Sequence, residues 1–244
     1  MKIQNLNVLK SGTPILKNLN AQFDMGKIHI IMGSNGSGKS TLSNTIAGHP
    51  DCEVTSGEII FNNDDLLSLE VHERAIKGVY LSPQYPPVIE GLSHAALLKE
   101  ALNVRLSATN QEPVDDFQFL KLLRAKAEEY NFDPKLYPKQ SLNSGFSGGE
   151  KKRNEILQIS LLNPDFIILD EIDSGLDIEA MKKIAEFIKN YINPNRTILV
   201  ITHYTQFAHL VNADCVHIMK SGNIVTTGNK EILNTIDQHG FGAF

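Results

Sequence analysis

Residues 33–40 read Gly33-Ser34-Asn35-Gly36-Ser37-Gly38-Lys39-Ser40, a complete G-x-x-x-x-G-K-[ST] phosphate loop followed by Thr41. Its flanks decide the fold. Upstream, Ile28-His29-Ile30-Ile31-Met32 is short, apolar and β-rich, whereas Ser40 to Ala47 carries Leu42, Ile46 and Ala47 at helical spacing. The pattern predicts a strand, a tight loop and a helix. Glycines at 33, 36 and 38 let the backbone turn and come close to a ligand. The loop amides then wrap a β-phosphate at a helix N-terminus, where unpaired N–H groups and the helix dipole favour anions. In such a loop Lys39 reaches the β- and γ-phosphates and Ser40 ligates Mg²⁺, so ATP and Mg²⁺ are the expected ligands of residues 33–41.

The remaining composition narrows the class. The chain has 244 residues, 41% of them hydrophobic and 21% charged, with a net charge of −5. That length suits one large domain, or one with an embedded subdomain. No apolar run approaches a bilayer span, and Met1-Lys2-Ile3-Gln4-Asn5 lacks the apolar region of a signal peptide, so no membrane insertion and a cytosolic or similarly reducing compartment are expected. Cys52 and Cys215 are far apart and lack C-x-x-C spacing, which suggests neither a disulfide framework nor a zinc site. The acidic balance argues against a nucleic-acid partner, and Lys151-Lys152-Arg153 is too short to change that.

Hydrophobic patterning orders the elements. Strands are expected at Ile3 to Val8, Ile15 to Phe23, Ser56 to Phe61 and Gly78 to Ser82. Helices follow at Ser93 to Arg105, Asp116 to Tyr130 and, after Pro134 and Pro138, Gly148 to Leu162. A second α/β stretch begins with the strand Phe166 to Asp170, a helix from Asp177 to Asn190 and the strand Thr197 to Thr202. Its unbroken apolar strands are the kind buried on both faces of a parallel sheet. Val216 to Met219, Ile224 to Thr227 and a helix near Lys230 to Ile236 complete the chain.

Asp170-Glu171 ends a buried strand, where Asp170 is suited to Mg²⁺ and Glu171 to polarising the water that attacks the γ-phosphate. Upstream lies Gly145-Phe146-Ser147-Gly148-Gly149-Glu150-Lys151-Lys152-Arg153. This run resembles the ABC signature, with Phe-Ser-Gly-Gly-Glu in place of the usual Leu-Ser-Gly-Gly-Gln. Ser147 as N-cap and the amides of Gly148 and Gly149, followed by Glu150, offer a second γ-phosphate site. A nucleotide on the phosphate loop is open on its other side, so these groups are expected to come from a second copy of the chain. The ABC resemblance further implies that Gln84 is the Q-loop residue contacting Mg²⁺ and the attacking water, and that His203 is the switch histidine at the γ-phosphate. Ser174-Gly175-Leu176-Asp177 matches the D-loop, and Asp177 also caps the next helix.

Within that superfamily the chain resembles the SufC family of ABC ATPases, which serve iron–sulfur cluster assembly. The likeness rests on Ile31 to Leu42, Gly145 to Glu155, Asp170-Glu171-Ile172-Asp173-Ser174-Gly175-Leu176-Asp177 and Thr202-His203-Tyr204. Transporter ATPases generally carry Gln where Glu150 stands, and continue differently from Lys152-Arg153-Asn154-Glu155. The resemblance implies an α/β fold with a phosphate-loop parallel-sheet core, an N-terminal antiparallel β-subdomain and an inserted helical subdomain. Residues 1–83 and 163–244 would form the core and 84–162 the helical signature subdomain. It also implies SufB- and SufD-like scaffold partners and an ATP-dependent dimer. Tyr85 to Leu92, apolar and stiffened by proline, is the expected partner surface, packing inside the helical subdomain being its alternative. An ATP-binding subunit of a membrane transporter is the rival reading; a DNA-clamp ATPase would need coiled-coil arms that do not appear. The aromatic that stacks on adenine in most ABC ATPases is missing, since residues 1–22 hold no Phe, Tyr or Trp. Modest affinity, weak ATP-versus-GTP discrimination and cover of the base by Val8 or Leu9 are therefore expected.

Overall fold

The structure, a computed structural model, describes residues 1–129 and 141–244. Tyr130, Pro134 and Pro138, named in the helix readings above, lie outside them. Along the chain the elements are β1 (Lys2–Lys10), β2 (Thr13–Gln22), β3 (Ile28–Met32), α1 (Lys39–Ala47), β4 (Cys52–Phe61), β5 (Asp64–Asp65), α2 (Val71–Ile76), β6 (Val79–Ser82), β7 (Ile89–Ser93), α3 (His94–Ala108) and α4 (Asp116–Glu129). Then follow β8 (Ser141–Leu142), α5 (Gly148–Leu162), β9 (Phe166–Asp170), α6 (Ile178–Tyr191), β10 (Thr197–Ile201), α7 (Thr205–Val211), β11 (Cys215–Lys220), β12 (Asn223–Gly228) and α8 (Glu231–His239). No helix among the described residues is long and apolar enough to cross a membrane.

The chain divides into two compact units, one of Met1–Gln84 with Asp165–Phe244 and one of Tyr85–Pro164. In the first, a six-stranded sheet runs in the order β12-β11-β3-β10-β9-β6, parallel except for β12 at its edge. Every residue of β3, β9 and β10 is buried, which explains why these strands read as continuous apolar runs. The second sheet, β2-β1-β4-β5, is antiparallel. Its inward residues Ile3, Leu6, Val8 and Leu19 join Ile31, Phe166, Leu199 and Met219 in one core. Burying each such side chain is worth about 1.5–3 kcal/mol, enough to clamp the two sheets together.

The helix after the phosphate loop is fixed at its far end by a residue the sequence did not advertise. Arg74 of α2 is buried, and its Nη1 donates to the carbonyls of Thr45 (2.8 Å) and Ile46 (3.1 Å), capping the C-terminus of α1. The short helices α2 and α7 were missed because one or two turns give no readable period.

In the second unit α3, α4 and α5 pack through Leu98, Leu102, Phe119, Leu123, Leu157 and Leu161. His94, the first residue of α3, is completely buried, and burial pushes its imidazole from the ordinary 6.5 down to about 4. The unfolded chain therefore takes up a proton between pH 6.5 and 4 that the folded chain refuses. Stability from this group is whole above pH 6.5 and is lost as pH falls through that window, at up to about 1.4 kcal/mol per pH unit. Urea unfolding across the window is expected to show a flatter acid loss for His94→Gln than for the parent chain; equal slopes would remove His94 as the cause.

Candidate functional site

The phosphate loop leaves the C-terminal end of β3, and the other candidate groups leave the C-terminal ends of β6, β9 and β10. Ligands of open α/β sheets bind at this edge because the loops that follow parallel strands converge there. Around it is a cleft of about 500 Å³, lined by Ile15, Asn35, Gly36, Gly38, Lys39, Ser40, Thr41, Gln84, Glu171, Ser174 and His203.

Glycine is demanded in the loop by contact as well as by conformation. A Cβ on Gly33 would sit 2.2 Å from the Met219 carbonyl oxygen of β11, and Gly38 holds a φ of +107°. Gly38 caps α1 without any side-chain bond, so the first-turn amides of the helix are not taken up by a capping group. Ser37 adds a buried hydroxyl that finds no hydrogen-bond partner among the described residues. Both observations suit an anion in the loop. Lys39 is buried and folds back on the loop, its Nζ donating to Gly33 O (2.9 Å) and Ser34 O (3.1 Å). Burial lowers its ammonium pKa, partly countered by Glu171 and Asp170.

Asp170, the last residue of β9, accepts from Ser40 Oγ on Oδ1 (3.4 Å) and from Ser43 Oγ on Oδ2 (2.9 Å). Its burial raises the carboxyl pKa, which these hydroxyls oppose. Ser40 and Asp170 bring a hydroxyl and a carboxylate together, oxygen donors of the hard kind Mg²⁺ prefers, and Gln84 lines the same cleft. Ser43 was not singled out from the sequence. Its hydroxyl also lies 3.0 Å from Ser40 O, yet it has one proton, and the carboxylate is the stronger acceptor. Ser43→Ala is expected to weaken the Mg²⁺ dependence of nucleotide binding roughly ten-fold, the loss of one hydrogen bond to a charged group. Unchanged Mg²⁺ dependence would reduce Ser43 to a packing residue.

Glu171 follows with φ of +49°, a left-handed conformation that costs a non-glycine residue on the order of 1–3 kcal/mol. Its amide donates to Ile201 O (2.9 Å), which ties the ends of β9 and β10. The carboxylate is bracketed: Gln84 Nε2 donates to Oε2 (2.5 Å), and His203 Nδ1 lies 3.5 Å from Oε1. Beneath them is a second pair, in which Thr202 Oγ1 donates to buried Asp173 Oδ2 (2.6 Å) and accepts from Tyr204 N (3.0 Å). It fastens the loop carrying His203 to the loop carrying Glu171. Of the D-loop residues, Ser174 lines the cleft and Gly175 turns at φ of +73°. Asp177 caps α6 by accepting from Ala180 N (2.8 Å), while Leu176 N bonds Asp173 O (3.3 Å).

The cover expected for the base needs correction. Val8 is fully buried in the sheet core, and neither it nor Leu9 lines the cleft; Ile15 of β2 does. Leu16 is buried in the core, whereas its neighbour Ile15 is only partly buried and packs against that core while lining the cleft.

In the helical unit Ser147 caps α5 through a closed box. Its Oγ accepts from Glu150 N (3.3 Å), and Glu150 Oε2 accepts from Ser147 N (2.8 Å) and Ser147 Oγ (2.7 Å). Those bonds lower the Glu150 carboxyl pKa. Ser147 and Gly148 are exposed, with open space where a Cβ of Gly148 would stand. The unusual continuation of the signature also gains a reason: Asn154 is buried and donates to Asn143 Oδ1 (2.8 Å), whose own amide donates to Pro87 O (2.8 Å). Between Tyr85 and Ile89, Pro86 is buried but Tyr85 (79% exposed), Val88 and Ile89 face solvent, so internal packing does not hold for these three.

Comparison with known proteins agrees with this geometry. The ABC transporter family matches residues 16–174. A Synechocystis protein named probable ATP-dependent transporter slr0075 is 45% identical over 99% of this chain and 94% of its own. The Escherichia coli protein named probable ATP-dependent transporter SufC is 40% identical over 99% of this chain and 97% of its own. Among solved structures, the ATP-binding cassette MJ0796, described as a dimeric post-hydrolysis state bound to ADP and Pi, superposes with a TM-score of 0.76 at 23% identity, covering 94% of this chain and 98% of that one. At that identity the superposition carries only the architecture. Kinship running the whole length, through the helical unit as well as the phosphate-loop core, makes the chain a member of the SufC family of ABC ATPases, enzymes that hydrolyse ATP.

Proposed function

We propose that this protein is the ATP-hydrolysing subunit of a SUF-type iron–sulfur cluster assembly complex, working in the cytosol or an organellar stroma. Two copies would close on ATP, the phosphate loop of each receiving the exposed Ser147 cap of the other, and the closure would remodel a scaffold of SufB- and SufD-like proteins. The observation that carries this reading is the 40% identity to the Escherichia coli protein named SufC along the full chain, combined with the Ser147–Glu150 box and the buried Asn154 behind it.

In the reaction, the amides of residues 33–41 and Lys39 neutralise phosphate charge. Bound Mg²⁺ would draw charge from the β- and γ-phosphate oxygens. Ser40, Asp170 and Gln84 would hold that ion. Glu171 accepts a hydrogen bond from the attacking water, and Gln84 and His203 set the orientation of its carboxylate. Tyr85, Val88 and Ile89 provide the docking surface, an apolar patch next to the residue that senses the nucleotide.

Affinity purification from the native cell tests the assignment. SufB- and SufD-like proteins are expected to co-purify, and Tyr85→Asp is expected to release them while ATP turnover by the free chain persists. Co-purification of a membrane permease instead would replace the assembly role with transport.

A further inference from the structure

At the N-terminal ends of β3 and β11, on the edge of the sheet away from the phosphate loop, three ligand-bearing side chains share one face. Cys215 pairs with His29 across the parallel strands, and His217, two residues on, projects to the same side. The histidines are 1% and 2% exposed, and Cys215 is partly exposed at the rim. One ligand atom from each of the three lies within 4.8 Å of the others. Phe23 packs edge-on against both imidazoles, at ring-centre distances of 5.4 and 5.3 Å. Burying two imidazoles and a thiol together in an apolar sheet is costly unless each polar atom finds a partner.

The partners identify what the cluster can hold. His29 Nε2 lies 3.3 Å from the Asp24 carbonyl, which only accepts, so this nitrogen carries the proton and Nδ1 is bare. His29 Nδ1 lies 3.0 Å from His217 Nε2, and His217 Nδ1 lies 2.9 Å from Thr227 Oγ1. With ring planes within 17° and centres 5.3 Å apart, the two facing nitrogens point at each other edge to edge. As it stands His217 donates through Nε2, and Thr227 donates to Nδ1. If the His217 proton moves to Nδ1, where Thr227 Oγ1 accepts it, both facing nitrogens become bare lone pairs. Each outer nitrogen then donates to an oxygen, the arrangement that orients metal-binding imidazoles.

We propose that His29, His217 and Cys215 form a binding site for a borderline-soft divalent transition ion of the Zn²⁺ kind. Two neutral imidazoles and a thiolate match that ion, and tetrahedral coordination leaves a fourth position for water or an external ligand. Zn–N bonds of about 2.0 Å place the nitrogens roughly 3.3 Å apart, close to their separation here. The rings tilt toward a common point, Cys215 closes by about an ångström, and its thiol proton leaves to solvent as the metal–sulfur bond forms. Among the described residues no cysteine lines the nucleotide cleft, so a thiolate signature cannot arise there.

Co²⁺ is the probe, added to the full-length protein after chelation and removal of the chelator. Visible bands of four-coordinate cobalt and a near-ultraviolet thiolate-to-cobalt band are expected to saturate at one ion per chain. Cys215→Ser is expected to abolish the thiolate band, whereas Cys52→Ser retains it. Thr227→Val, which removes the acceptor behind His217 but no ligand, is expected to weaken Co²⁺ binding about ten- to a hundred-fold with an unchanged circular dichroism spectrum. Absence of a thiolate band, its survival in Cys215→Ser, or unaltered affinity in Thr227→Val overturns the proposal.

Discussion

Glu171→Gln is expected to lower ATP turnover on the order of a hundred- to ten-thousand-fold, the usual worth of a positioned general base, while ATP binding persists. The substitution keeps the side-chain length and leaves the left-handed backbone at this position as it is, so it isolates the charge. The bracket survives it, since the side-chain carbonyl oxygen of the introduced amide still accepts from Gln84 Nε2. What is lost is an anionic acceptor for the water proton. A chain that binds ATP but cannot consume it should accumulate in the closed, two-copy state, visible by size-exclusion chromatography with ATP and Mg²⁺ and absent without nucleotide. Turnover at the parent rate would require another base. Normal arrest without any ATP-dependent dimer would leave Glu171 as the base but remove the proposed trans role of Ser147.

Lys39→Ala is expected to fail one step earlier. Among the described residues Lys39 is the one lysine or arginine lining the cleft. Because its resting partners are two carbonyls of the loop itself, binding a triphosphate exchanges neutral acceptors for anionic ones. A charge-assisted hydrogen bond is worth about 1.5–3 kcal/mol, so nucleotide affinity should fall at least roughly ten-fold, and further where two phosphate oxygens are engaged. Equilibrium binding of a fluorescent ATP analogue separates the two variants: Glu171→Gln holds nucleotide and Lys39→Ala does not. Retained affinity in Lys39→Ala would shift the binding energy to the loop amides alone.

The parts of this site that could be read from sequence are those whose chemistry is local. A phosphate loop needs its glycines, lysine and serine consecutively, and Asp170-Glu171 sit together at a strand end. Gln84 and His203 could be placed because each follows an apolar strand. The groups that hold these residues in position were not legible, because their spacing follows from the sheet order and not from the chain. Ser43 meets Asp170 only because β3 and β9 flank β10 on the same sheet edge, and Thr202 meets Asp173 across neighbouring strand ends. The base cover was misassigned for a related reason. Asn5 and Asn18 adopt left-handed φ of +49° and +51°, and register shifts interrupt the β1–β2 pairing, so simple alternation along β1 could not say which side chain meets the cleft. Lys152, Asn154 and Glu155, polar residues of α5, are buried, a placement that their polarity alone does not announce.

The position of β3 in the sheet also bears on how the chain is made. Its five buried residues pair on one side with β10 and on the other with β11, both encoded far downstream. On the ribosome Ile28–Met32 therefore emerges as an apolar ribbon with both edges unsatisfied, and it stays so while the helical unit is synthesised and collapses on its own. Nascent chains of this protein should depend on a chaperone that shields this ribbon, and stalling before β11 has emerged should yield aggregates in which β3 has paired with a neighbouring chain.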